Sequence, residues 1–158
     1  MRDSTTTPCV LFPDLCDRPL TACFDVPNAS SDGGAVLLKA ADRRLGLIPR
    51  LAAALVDERQ QGKVRHGLAD LLGQRIYGLA LGYEDANDAA RLADDPMHKL
   101  VLGRDPITGE ALASQPTLSR FENDVTRGEL KAMGEALFET VLERHRKRRR
   151  KVRRITVD

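Results

Sequence analysis

The amino-acid sequence predicts a mainly α protein with a short β element near its N-terminus and one β-strand at its C-terminus. Three observations carry that reading. From Ile48 onward, apolar residues recur at spacings near three and four, the period of helices packed on a core. Gly- and Pro-containing breaks separate these stretches. The final seven residues, VRRITVD, turn to β-branched side chains that suit a strand. The chain has 158 residues, 42% of them hydrophobic, which is enough for the core of one domain or one domain with an appendage. Wholesale disorder is thereby excluded. No apolar run approaches the ~20 residues of a membrane-spanning helix, and nothing reads as a signal peptide. A soluble cytoplasmic protein is expected.

Residues 1–19 are polar and broken by Pro8, Pro13 and Pro19, which predicts an irregular arm. Leu20–Val26 alternates as a strand does and stops at Pro27, and Asn28–Gly34 is a dense turn signal. Val36–Leu45 suits a returning strand or a helix; the helix is favoured, with Asp32 as its candidate cap. Pro49 fits the first turn of a helix whose stripe is Leu51, Leu55 and Val56. Between Arg65 and Leu81, Leu68, Leu71, Leu72, Ile76 and Leu79 form a core-facing stripe. Gly67, Gly73 and Gly78 each cost that helix about 1 kcal/mol relative to Ala, and such glycines mark close packing. A short helix follows at Glu84–Ala93, and Asp95-Pro96 opens another through Leu102. Gly103–Gly109 is a loop. Leu112–Asn123 forms a helix with Ser114 as its cap and Pro116 in its first turn. The last helix spans Arg127–Arg150, with Leu130, Met133, Leu137, Phe138 and Val141 on one side, and ends purely basic. The organisation expected is an arm (1–19), a helical region (20–126), a long basic-ended helix or linker (127–151) and a strand (152–158).

Charge is divided unevenly. Residues 144–158 hold nine basic side chains and one acidic, a net +8, whereas the preceding 143 hold sixteen basic and twenty-two acidic, a net −6. Every side chain that neutralises a DNA phosphate releases a counterion, so even half of the nine gives strong salt-dependent binding. The alternative is a solvated linker. Arg43, Arg44, Arg50, Lys63 and Arg65 are dispersed among acids, and the sequence assigns them no function. Cys9, Cys16 and Cys23 stand seven apart and His66, His98 and His145 are scattered, which does not match zinc-ligand spacing, so free thiols are expected.

The Pro96–Leu102 and Leu112–Asn123 helices suit a helix-turn-helix-like pair, although their connection is longer than the tight form has. On the second helix Leu118 and Phe121 pack inward, while Thr117, Arg120 and Asn123 share another face beside Gln115 and Ser119. Arg, Asn and Gln read base edges, and Ser and Thr bind phosphate. The alternative is that Ser114, Thr117 and Glu122 only cap and solvate a surface helix. His98 and Lys99, just upstream, are expected to be solvated, with phosphate contact as the other option.

The strings TACFDVPNASSDGGAVLL, YGLALGYEDANDAARLADDP, SQPTLSRFEN and RRITVD resemble the N-terminal part of bacterial insertion-sequence transposases of the DDE type, group 1, over about residues 20–158. The resemblance implies that Gln115, Thr117, Ser119, Arg120 and Asn123 contact double-stranded DNA at the terminal inverted repeats of a transposable element. Arg146, Lys147, Arg148, Arg149 and Arg150 would follow its backbone. It also implies that ITVD is the first strand of an RNase H-like catalytic domain truncated here, and that Asp158 corresponds to the first acidic residue of the family triad. Family members use Mg²⁺ held between three carboxylates. One carboxylate on a lone strand cannot hold those ions, so this fragment is expected to bind DNA in transposition and recombination without a metal cofactor or catalysis of its own. A nucleoid-associated location and a homodimer fit the same reading. The alternatives are a helical dimerisation and assembly module, or a truncated transposase that acts as an inhibitor.

Overall fold

The computed structural model describes residues 9–11, 20–22 and 29–147. Two short strands, β1 (Cys9–Leu11) and β2 (Leu20–Ala22), pair antiparallel with Val10 opposite Thr21. β2 is the described part of the predicted Leu20–Val26 strand. Among the described residues the helices are α1 (Ala35–Leu45), α2 (Leu47–Ala52), α3 (Leu68–Ala80), α4 (Ala89–Leu92), α5 (Pro96–Val101), α6 (Gln115–Asp124) and α7 (Arg127–Lys147). The described chain is therefore mainly helical. A single 3-10 turn, Gln61–Lys63, lies between α2 and α3. The predicted strand at 152–158 lies outside the described residues.

α3 is the central helix because two cores meet on it. One face carries Tyr77 into a cluster with Ala35, Ile48 and Val101 from α1, α2 and α5. Another carries Leu71 into a cluster with Ala89, Ala113 and Leu118, against which Phe121 packs. Gly73 explains how close the neighbours come: a Cβ built there would stand 2.9 Å from Leu102 Cδ2. The glycines expected to mark close packing thus include one that does. Leu79 departs from the expected stripe and is exposed.

α1 and α2 are joined by one residue, Gly46, whose left-handed φ of 64° turns the chain without the strain a Cβ would bring. Its N–H donates to Asp42 O at 2.6 Å, and Asp42 Oδ1 accepts from Ile48 N at 2.9 Å. α2 stops at Ala52, so Leu55 and Val56 lie beyond it and Val56 is exposed, contrary to the predicted stripe. The expected Glu84–Ala93 helix shrinks to the single turn of α4.

Asp32 does not cap α1 with its side chain. Its backbone carbonyl accepts from Ala35 N at 2.9 Å, and its carboxylate is taken by His98 Nε2 at 2.9 Å and Tyr83 Oη at 2.8 Å. Burial raises the Asp32 pKa, but the His98 and Tyr83 hydrogen bonds outweigh it and hold the group below the usual carboxylate range. His98 is 1% exposed and Lys99 is buried beside it, its ammonium 3.2 Å from Asp94. Neither is solvated or set towards a phosphate, as the sequence suggested. Asp95 instead fixes this stretch, accepting from Met97 N and His98 N to cap α5.

α7 packs on α2 through a face the apolar pattern did not indicate. Thr140 is buried, Arg50 donates to Glu143 Oε2 at 2.8 Å, and Val56 N donates to Glu129 Oε1 at 2.8 Å. Leu130, Leu137, Phe138 and Val141 point to solvent, Leu130 at 57% exposure. Polar anchors, and not the leucine stripe, set the rotation of this helix. Thr126 and Glu129 form a reciprocal capping box at its start: Thr126 N donates to Glu129 Oε2 at 2.8 Å, and Glu129 N to Thr126 Oγ1 at 3.3 Å.

Candidate nucleic-acid interface

α6 is presented by a buried amide. Gln74 of α3 is buried and pairs twice with the backbone of Ala113, donating from Nε2 to the carbonyl at 2.9 Å and accepting from the N–H at 3.0 Å. Leu112 N donates to Ala93 O at 2.9 Å one residue earlier. The chain therefore reaches α6 already fixed at two successive residues. Leu118, 2% exposed, seats the helix in the second core, and Arg75 of α3 forms an ion pair with Glu122 across its flank.

The inward assignment of Leu118 and Phe121 agrees with this seating. On the opposite side Arg120 and Asn123 are exposed, and Gln115, Thr117 and Ser119 are half-buried along its edges. Ser114 occupies the cap position, but its hydroxyl lies 3.1 Å from Thr117 Oγ1 and makes no side-chain bond to the α6 backbone. The partner of α6 is α3, whereas α5 packs on α1. The strongest contacts of α5 and α6 are thus with different helices. Leu112 N–H on Ala93 O ties the stretch before α6 to the residues just ahead of α5.

Two clefts open in succession along one face of α6, the first at its start, and Arg59 and Thr117 line both. The first, about 550 Å³, lies between the 59–66 loop and α6 and is lined by Arg59, Lys63, Arg65, His66, Ser114 and Thr117, among others, with no carboxylate in its lining. The second, about 770 Å³, is lined by Asp57, Glu58, Asp124 and Glu129 together with Arg59 and Arg120. Arg59 is held by both oxygens of Asp57, at 2.6 and 2.7 Å. Hydrogen bonds from Thr126, and then from the N–H groups of Val56 and Thr126, hold Glu129 below the usual carboxylate range, so it stays ionised.

The floor of the first cleft is braced by Arg104. Its guanidinium donates to Ala111 O at 2.6 Å and Glu110 O at 3.2 Å, and lies 2.9 Å from His66 Nδ1. Arginine has no acceptor, so Nδ1 must offer its lone pair and the neutral ring carries its proton on Nε2. Burial pushes the His66 pKa down, and the Arg104 charge pushes it further.

The remaining predicted contacts lie elsewhere. Arg146 and Lys147 are exposed at the end of α7, a helix of 21 residues and thus about 30 Å long. Arg148, Arg149, Arg150 and Asp158 lie outside the described residues. Lys63 and Arg65 were missed by sequence reasoning because an aperiodic loop gives no hint of what it folds against. The α7 capping box was missed although its Thr-x-x-Glu signal is written in Thr126 and Glu129.

The profile of a family described as transposase DDE domain group 1 matches residues 12–158. The chain belongs to that family. Comparisons with curated proteins and with solved structures give no match. Membership gives this transposase-family chain a role in transposition and makes DNA its substrate. The family's Mg²⁺ chemistry needs converging carboxylates. Among the described residues no three His, Cys, Asp or Glu side chains are grouped to hold a metal ion, so those residues do not fit the ions and no step is derived through them. No described helix is long and apolar enough to cross a membrane.

Proposed function

We propose that residues 20–151 of this transposase-family chain bind the ends of a transposable element, with α6 as the base-reading helix. Arg120 and Asn123 read base edges, with Gln115, Thr117 and Ser119 set to phosphate or flanking bases. The arrangement is helix-turn-helix-like in role, with α3 in place of α5 as the supporting helix. Arg146 and Lys147 at the end of α7, together with Arg148, Arg149 and Arg150, grip the backbone. Binding, and not strand cleavage, is the activity assigned to this stretch; catalysis is left to the RNase H-like fold that residues 152–158 would open, with Asp158 as its candidate first acid. A bacterial, nucleoid-associated location follows from the same assignment.

What supports the reading above all is the polar, exposed face of α6 on a helix whose other face is locked to α3 by Gln74, Leu118 and Arg75. Rigid support of this kind is what a specific contact requires. Selection from a randomised duplex pool tests it. The wild-type chain should enrich a consensus, and Arg120→Ala should relax it at one or two positions, at about 1–3 kcal/mol per lost bidentate contact. Failure of the wild-type chain to retain any duplex at low salt overturns it.

A second reading, a helical assembly module, is favoured by one observation: Leu130, Leu137, Phe138 and Val141 expose an apolar stripe along α7. Sedimentation of the wild-type chain and of Leu137→Glu separates the two. A dimer lost in the variant without loss of DNA binding supports assembly as an additional role.

A further inference from the structure

We propose that the cleft between the 59–66 loop and the start of α6 clasps one or two backbone phosphates of the bound duplex, with Lys63 and Arg65 as the charged ligands; this rests on α6 as the DNA-facing helix. The lining residues carry three cations and no carboxylate. Arg59 is matched by Asp57, so the positive field of the cleft comes from Lys63 and Arg65, both exposed. Arg104 behind His66 is paired with Asp70 at 3.7 Å, so it braces the cleft without adding to its net charge.

The cleft also offers donors. Ser114 and Thr117 share one hydrogen bond between their hydroxyls, which uses one of the two hydroxyl protons and leaves the other for an incoming anion. Ser114 makes no side-chain cap on α6, so its hydroxyl is engaged with Thr117 at the cleft and not with the helix backbone. Phosphate oxygens take donors of both kinds, the compact ammonium charge of Lys63 and the forked guanidinium of Arg65.

The second cleft gives the clasp a direction. Asp57, Glu58, Asp124 and Glu129 line the next cleft along the same face of α6, which shares Arg59 and Thr117 with the first. A polyanion laid over α6 is therefore drawn to the Lys63 side and repelled from the Glu58 side, which fixes where its backbone runs relative to Arg120. An acidic protein segment would feel the same field. DNA is the occupant chosen because it is the family's substrate and because the cleft shares Thr117 with the proposed reading face.

The salt dependence of binding to a mixed-sequence duplex of about 30 base pairs tests the clasp, since each neutralised phosphate contributes about 0.9 to the log–log slope. The wild-type chain is compared with Lys63→Ala/Arg65→Ala, with Arg120→Ala, and with Arg44→Ala/Lys131→Ala, which removes two positive charges from α1 and α7. The Lys63/Arg65 variant should lower the slope by about 0.9 if one phosphate is held and about 1.8 if two are, while the α1/α7 variant leaves it near the wild-type value. Thermal melts check that both double variants stay folded. An unchanged slope in the Lys63/Arg65 variant, or an equal fall in the α1/α7 variant, overturns the clasp. If Arg120→Ala weakens binding while Lys63→Ala/Arg65→Ala does not, the clasp fails and the α6 reading stands; if the wild-type chain ignores the duplex at low salt, both fail. Polyglutamate that displaces the duplex at equal charge concentration would also overturn it, by showing an unselective anion site.

Discussion

The two clefts along α6 differ in charge although they share Arg59 and Thr117. In the first the 59–66 loop offers cations, two hydroxyls and no carboxylate; in the second, four carboxylates surround two arginines. α6 itself contributes little to this contrast. The asymmetry comes from the aperiodic stretch between α2 and α3, whose acids, Asp57 and Glu58, line the second cleft and whose later cations, Lys63 and Arg65, line the first. A recognition helix can thus be given a direction by a loop that makes no base contact.

The contrast survives only while α6 stays in place, and the largest effect should come from its support. Gln74→Ala removes both bonds to Ala113 and leaves a buried N–H and a buried carbonyl without partners. Such a loss should cost about 2–4 kcal/mol and abolish the distinction between the two clefts. Urea unfolding would show the lower midpoint, and binding to a mixed-sequence duplex should lose its sensitivity to Lys63→Ala/Arg65→Ala. A variant that unfolds as the wild type does would mean that Leu118 alone seats the helix.

A smaller effect is expected from pH, and it acts on the cationic side only. His66 has its pKa depressed by burial and by Arg104, with Arg65 adding to the effect and Asp70 and Glu110 opposing it. The folded state therefore prefers the neutral ring. Stability from this group is fully present above the unfolded histidine value, about 6.5, and is lost as pH falls through the lower folded value. Below that window His66⁺ no longer accepts from Arg104, and two cations face each other at the floor of the cleft. Melting temperature followed from pH 7.5 to 5 should decline in the wild-type chain and flatten in His66→Gln.

Much of the fold was legible in the sequence because helical periodicity and Pro caps are local signals. α1, α3, α5, α6 and the start of α7 fall near where Val36–Leu45, Leu68–Leu79, Pro96, Pro116 and Arg127 suggest. Errors arose where tertiary contacts override the pattern. The leucine stripe of α7 gave no hint of the face that packs, since Arg50, Val56 and Thr140 hold that helix by polar contacts. His98 and Lys99 read as surface groups because nothing local shows that Asp32, 66 residues before His98, supplies a partner. Of the candidate site, the outward residues of α6 could be read from its own periodicity. Its supporting helix, its bracing by Arg104 and its two clefts could not, since each depends on contacts distant in sequence.

The smallest effect expected also probes the contrast most directly, because it alters only the acidic side. Glu58→Gln/Asp124→Asn removes two exposed negative charges while leaving the Thr126–Glu129 box and the Asp57–Arg59 pair intact. Exposed charges act through water and salt, so the gain in affinity for a mixed-sequence duplex should be about twofold to fivefold at low ionic strength and should fade within the screening range near 0.15 M. The sign matters more than the size. If the acids steer the backbone to the Lys63 side, neutralising them raises affinity but loosens register, so a selected consensus should weaken as overall binding improves. Tighter binding with an undiminished consensus would mean that α6 is oriented by its own contacts, and that the acidic cleft is only a solvated flank.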